Sequence, residues 1–177
     1  MGVVKKGLVV IFGVFLVLTV IGIFLPENYG LSRSVQISAE PQVVMDQVMD
    51  LQNYSRWMPW RSDPTMKVTL ADKVRGEGAS MSWVSEDSGS GTLTIAVVKP
   101  STMLATRLVF EGRGQGGAIW TFAGNEEGTL VTWTMNAEAN GQLERWAGLF
   151  IERMAGPDFE RGLQNLKRQA ESATTAR

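Results

Sequence analysis

SRSVQISAEPQVVMDQVMDLQNYSRWMPW, residues 32–60, changes hydrophobic period partway along, and together with the strand-like run beyond residue 60 it settles the fold class. Residues 32–38 alternate as a strand does. Pro41 then opens a helical pattern with Val44, Met45, Val48 and Leu51 on one face. Proline is at home in a first helical turn, where its missing N–H has no intrahelical partner to lose. A second short helix or turn is expected over residues 53–58, ended by Pro59.

Beyond residue 60 the period becomes two. Strands are predicted over residues 66–71, 79–85, 91–98, 103–110, 118–123 and 129–138. The turns between them are rich in Gly, Ser, Asp, Asn and Pro, including the runs 88–90, 112–117 and 124–128. Connections this short and regular imply an antiparallel meander. Helical period returns from Gln142 to the C-terminus, with Trp146, Leu149, Phe150, Arg153 and Met154 on a stripe that Phe159, Leu163, Leu166 and Ala170 continue. Gly156 and Pro157 interrupt it, which predicts a kink or a fresh helix start there.

Upstream, residues 7–25 form a 19-residue uncharged stretch in which 15 residues are Leu, Ile, Val or Phe. As a helix it would span about 28 Å, close to the hydrocarbon thickness of a bilayer. A cleaved signal peptide would have a shorter apolar region followed by small residues, whereas Pro26, Glu27, Asn28 and Tyr29 come next here. Lys5 and Lys6 precede the stretch, and Arg33 is the only basic group in the next twenty residues. The positive-inside rule therefore predicts a single-pass anchor with a cytoplasmic N-terminus and an extracytoplasmic domain. The expected organisation is an anchor over 1–25, a linker over 26–31 and one domain over 32–177.

Charge and composition exclude several functions. From residue 26 onward 15 Lys plus Arg face 18 Asp plus Glu, and no basic patch suggests nucleic acid. The chain has no histidine and no cysteine. Ser-His and Cys-His nucleophilic systems and zinc sites built on those ligands are thereby ruled out. No metal, cofactor or catalytic residue is assigned, an enzyme is not the favoured reading, and oligomeric state is left open. Asp46 and Asp50 share a helix face opposite Val44 and Val48, which reads as a solvated face. The glycines at 112, 114, 116 and 117 resemble a phosphate loop only superficially, because residues 118–123 read as a strand rather than the helix such a loop requires.

The order of elements is the helix-grip arrangement, a curved antiparallel sheet wrapped around a long C-terminal helix (α+β). The chain resembles the START-like (SRPBCC) superfamily, and within it the polyketide cyclase/dehydrase and lipid-transport group with an N-terminal membrane helix. Residues 32–60, 76–87, 129–138 and 156–171 carry the likeness. The resemblance implies a cavity for an apolar or amphipathic small molecule between sheet and helix, and no fixed catalytic set. On residue type alone the aromatic and methionine side chains would as readily fill a solid core. Given the resemblance, Trp57, Trp60, Met81, Trp83, Ile95, Phe110, Trp120, Phe122, Trp133, Met135, Trp146, Phe150 and Met154 are expected to line the cavity. Tyr54, Arg107, Glu111 and Arg153 are possible polar anchors, although Arg107 points outward if Leu104, Leu108 and Phe110 face inward. The leading expectation is a membrane-tethered binding module. A cyclase/dehydratase-like enzyme using Tyr54, Asp63, Arg107 or Glu111, and a protein-interaction domain, are the alternatives.

Overall fold

The computed structural model describes residues 2–112, 114–139 and 141–175, with side chains for all of these but residues 2–5 and 9. Met1, Arg113, Asn140, Ala176 and Arg177, which fall within the expected domain, anchor and turns, lie outside the described residues.

An apolar helix, α1 (Gly2–Phe24), leads directly into strand β1 (Asn28–Ile37). Helices α2 (Pro41–Met49) and α3 (Leu51–Trp57) and a single 3-10 turn (Pro59–Ser62) come after it. Strands β2 (Lys67–Leu70), β3 (Ser80–Ser85), β4 (Gly89–Lys99), β5 (Met103–Phe110), β6 (Gly114–Asn125) and β7 (Gly128–Glu138) precede α4 (Gln142–Gly148) and α5 (Ile151–Thr175). The strands form one antiparallel sheet in the order β1-β7-β6-β5-β4-β3-β2. α5 packs against its inner face beside β1, giving the helix-grip fold.

Pro41 opens α2, and Val43, Val44, Met45 and Val48 are buried. The expected solvated acids have a structural use: Asp50 caps α3 by accepting from the Gln52 and Asn53 N–H groups, and Arg75 bridges Asp46 (2.8 Å) and Asp50 (3.6 Å).

Four sequence expectations need correction. β1 begins at Asn28, so most of the supposed linker over 26–31 is strand, paired with β7 from Asn28↔Glu138 onward. β6 likewise starts at Gly114, within the run read as a turn, because β5 supplies partners for it as far as Phe110↔Gly114. The period-two alternation predicted over residues 91–98 does not hold throughout, because a bulge between Ile95 and Val97 reverses side-chain parity, leaving Val97 exposed and packing Val98 on the core. Pro157 lies inside α5, and the helical break falls at Leu149 and Phe150 instead. Pro157 and Arg153 are both exposed, so the Arg153 carbonyl that loses its donor can be hydrated.

The core centres on a stack of aromatic rings. Trp133 lies between Trp120 (centroids 4.3 Å, 16° between planes) and Phe159 of α5 (3.8 Å, 19°). Trp57 and Trp60 meet the stack edge-on, at 5.9 Å from Trp120 and 6.4 Å from Trp133. Gly162 lets α5 come close, since a Cβ there would stand 3.0 Å from the Trp133 ring and 3.1 Å from Pro59. Phe159, Leu163, Leu166 and Ala170 complete the buried stripe of α5.

Phe159→Ala removes one side of this stack, and urea denaturation of the full-length protein in detergent is expected to show a loss of about 3–5 kcal/mol. A loss below about 1 kcal/mol would contradict a stack that holds α5 to the sheet.

Candidate binding cleft

The sheet and α5 diverge beyond the aromatic stack and leave a cleft of about 370 Å³. Its walls are built element by element. Strands β3, β4 and β5 contribute Met81, Trp83, Leu93, Leu108 and Phe110, all at inward positions of their strands. Tyr54 of α3, with Met58, Trp60 and Met66 from the segment after it, closes one side. Ile151, Met154, Ala155 and Asp158 from the first turns of α5 form the other. Ser88, in the β3–β4 turn, borders the rim.

Gly91 shapes one wall. Trp83 lies across it, opposite Gly91 in the ladder, and packs edge-on against Phe110 at 5.6 Å. A Cβ at Gly91 would stand 2.5 Å from the Trp83 ring and 2.6 Å from the Val109 carbonyl, so only glycine leaves the indole room.

The lining is largely apolar, with a few polar groups. Tyr54 is buried, and burial pushes its hydroxyl well above the ordinary phenol pKa, so it stays neutral. Among the described residues its hydroxyl has no hydrogen-bond partner. Asp158 pairs with Arg161 at 3.4 Å. Tyr54, Ser88 and Asp158 do not hydrogen-bond to one another. Among the described residues no group of three or more acidic side chains gathers to hold a metal ion.

Of the side chains expected around the cavity, Trp60, Met81, Trp83, Phe110 and Met154 border the cleft, as does Tyr54. Trp57, Ile95, Trp120, Phe122 and Trp133 are instead core side chains, and Met135 packs against that core, none of them at the cleft. The strand residues among them face inward, but the stacking of Trp120, Trp133 and Phe159 fills that end of the sheet. Trp146 faces α1, where its indole meets Gly22, and Phe150 is exposed in the break between α4 and α5. Arg107 points to the outer face, beside Asn28, Gln115, Asn136 and Glu138. Glu111 is exposed in the turn after β5, and Arg153 is exposed on α5. Asp63 lies outside the cleft and holds a turn, accepting from the Thr65 N–H (2.7 Å), the Thr65 hydroxyl (2.6 Å) and the Ser85 hydroxyl.

Sequence reasoning missed Met58, Met66, Leu93, Leu108, Ile151 and Ala155 as lining. Leu93 and Leu108 were legible as inward positions, while Met58 and Met66 sit in irregular backbone that carries no period. Ile151 and Ala155 depended on where α5 begins.

A family model described as polyketide cyclase/dehydrase and lipid transport matches residues 30–171. No curated protein matches the chain. Among solved structures, a protein of unknown function from Staphylococcus aureus superposes with a TM-score of 0.65 at 13% identity, covering 84% of this chain and 97% of that one. The Zhui aromatase/cyclase from Streptomyces sp. R1128 superposes with a TM-score of 0.62 at 15% identity, covering 81% and 94%. The di-domain aromatase/cyclase StfQ of the steffimycin biosynthetic pathway gives 0.64 at 10%, covering 84% of this chain and 52% of that chain. Identities this low carry the fold and nothing finer.

The turn at Asp63 has a pH signature. Hydrogen bonds from Ser85, then Thr65, hold its carboxyl below the ordinary 3.8. A lowered folded-state pKa means that its stabilisation is present above the unfolded value and is lost as pH falls through the folded value. Thermal melts are therefore expected to show Asp63→Asn less stable than the parent at neutral pH, with the gap closing in acid below pH 3.8. A gap that is unchanged across that range would contradict the assignment.

Proposed function

Because the chain belongs to the polyketide cyclase/dehydrase and lipid-transport family, we propose that its cleft holds an apolar or amphipathic small molecule and that α1 anchors the domain to a membrane. The observation that carries the reading is the cleft itself: a largely apolar space of about 370 Å³, of the size that small-molecule sites have, beside a Tyr54 hydroxyl that has no partner among the described residues. Met58, Met66, Met81 and Met154 give the walls flexible, polarisable surface that adapts to varied apolar shapes. A neutral phenol in such walls is suited to donating one hydrogen bond to a polar end of the guest.

The anchor reading is supported by residues 6–24, which are long and apolar enough to cross a membrane and are almost wholly exposed on the protein. Lys5 and Lys6 at the N-terminal end of this helix favour a cytoplasmic N-terminus and a domain on the other side. Binding is favoured over catalysis because Tyr54, Ser88 and Asp158 form no relay among themselves. A phenol whose pKa is raised by burial also serves poorly as a general base near neutrality.

Photocrosslinking tests this directly. Full-length protein in phosphatidylcholine vesicles that contain a diazirine fatty acid is expected to yield crosslinks at Met81 and Leu108, and Leu93→Trp, which fills the cleft, is expected to abolish them. Crosslinks confined to α1 would contradict a binding role for the cleft.

A further inference from the structure

α4, the break after it and the first turn of α5 leave a run of large apolar side chains facing solvent: Leu143 (84% exposed), Leu149 (52%), Phe150 (56%) and Met154 (69%). Contiguous exposed apolar surface beside polar groups marks a contact with something other than water. Its place against α1 tells what covers it. The Gln142 side-chain amide donates to the Thr19 carbonyl (3.3 Å), Arg145 donates to the Ile23 and Leu25 carbonyls (3.0 and 3.4 Å), and the Trp146 indole meets Gly22. Thr19 precedes Leu25 by six residues, about 9 Å along a helix axis. If residues 7–25 span the hydrocarbon, α4 lies at the depth of roughly 5–10 Å at which interfacial amphipathic helices rest. Arg145, paired with Glu27, would then face the headgroups.

The same end of the protein carries the cleft mouth. Met154 belongs both to the exposed run and to the cleft lining, and Ile151 and Ala155 flank it on the cleft side. The ladder agrees. Asn28, where the chain leaves α1, pairs with Glu138, and Ala137 pairs with Gly116. Gly114 pairs with Phe110, Phe110 with Gly91, and Gly91 with Trp83. One edge of the sheet therefore runs from the base of α1 to the aromatic rim of the cleft. α5 runs away from that edge, since Arg33 bridges Glu152 and Glu160 while Ser38, farther along β1, meets Glu171.

We propose that α4 and the start of α5 bed into the leaflet on the domain's side, and that the cleft takes its apolar guest laterally out of that leaflet rather than from water. This rests on both the anchor reading and the binding reading above. Leu143, Leu149 and Phe150 supply apolar contact with the acyl chains, and Met154 stands where the bilayer surface meets the cleft.

The absence of cysteine makes the test direct. Single variants Leu143→Cys, Phe150→Cys, Phe12→Cys and Ser172→Cys of the full chain, each carrying an environment-sensitive fluorophore, are reconstituted into phosphatidylcholine vesicles with or without acyl-chain nitroxide lipids. Emission at positions 12, 143 and 150 is expected to shift to the blue and to be mostly lost to the nitroxide. Position 172, at the far end of α5, is expected to respond only to aqueous iodide. Quenching at position 12 with positions 143 and 150 open to iodide overturns the docking and leaves the anchor standing. No quenching at position 12 overturns both. Positions 143 and 150 shielded from nitroxide and iodide alike would mean that protein covers the face, which also overturns the proposal.

Discussion

Trp133, clamped between Trp120 and Phe159, is the contact on which the rest of the molecule depends. It joins the β6–β7 side of the sheet to α5 at ring-to-ring distance, and Gly162 permits the approach by leaving no Cβ in the way. Three large flat side chains consume the space under β6 and β7. The cleft lies instead under β3, β4 and β5, where Met81, Leu93 and Leu108 present smaller surfaces toward α5. Among the described residues the buried indole N–H of Trp133 has no hydrogen-bond partner, which burial makes unfavourable and which the stacking must offset.

The stack also accounts for how the cleft is oriented. It sits on one side of the space between sheet and helix, so the remaining gap opens where α5 begins. That opening lies beside α4, and α4 rests on α1. Only residues 25–27 separate α1 from β1, and Arg145 ties that junction through the Ile23 and Leu25 carbonyls and Glu27. A short, pinned junction restricts how far the domain can swing relative to α1, so the cleft mouth keeps one aspect toward that helix.

Much of this was legible in the residues. Pro41 and the Val44, Met45, Val48 face located α2, and the period-two runs located every strand, with residues 103–110 matching β5 end to end. The inward parity of Met81, Leu93, Trp120 and Trp133 was also readable. Parity tells which face a side chain takes, but not whether that face meets another ring or a void. The tryptophans that filled the core and those that border the cleft therefore looked alike. The bulge at Ile95/Val97 and the strand residues at 114–117 depend on what the neighbouring strand offers, which no local pattern encodes. Trp146 and Phe150 were misplaced because a helical stripe continuing through residue 150 gives no sign that the chain turns there, leaving α4 against α1.

A crystal structure of the protein loaded with a bromine-labelled fatty acid measures the central claim most directly. Anomalous bromine density between Met81, Leu93 and Leu108, with the Trp120–Trp133–Phe159 stack undisturbed, is the predicted result. Bromine found only against α1 or the outer face of the sheet, with the cleft closed by its own side chains, would contradict it.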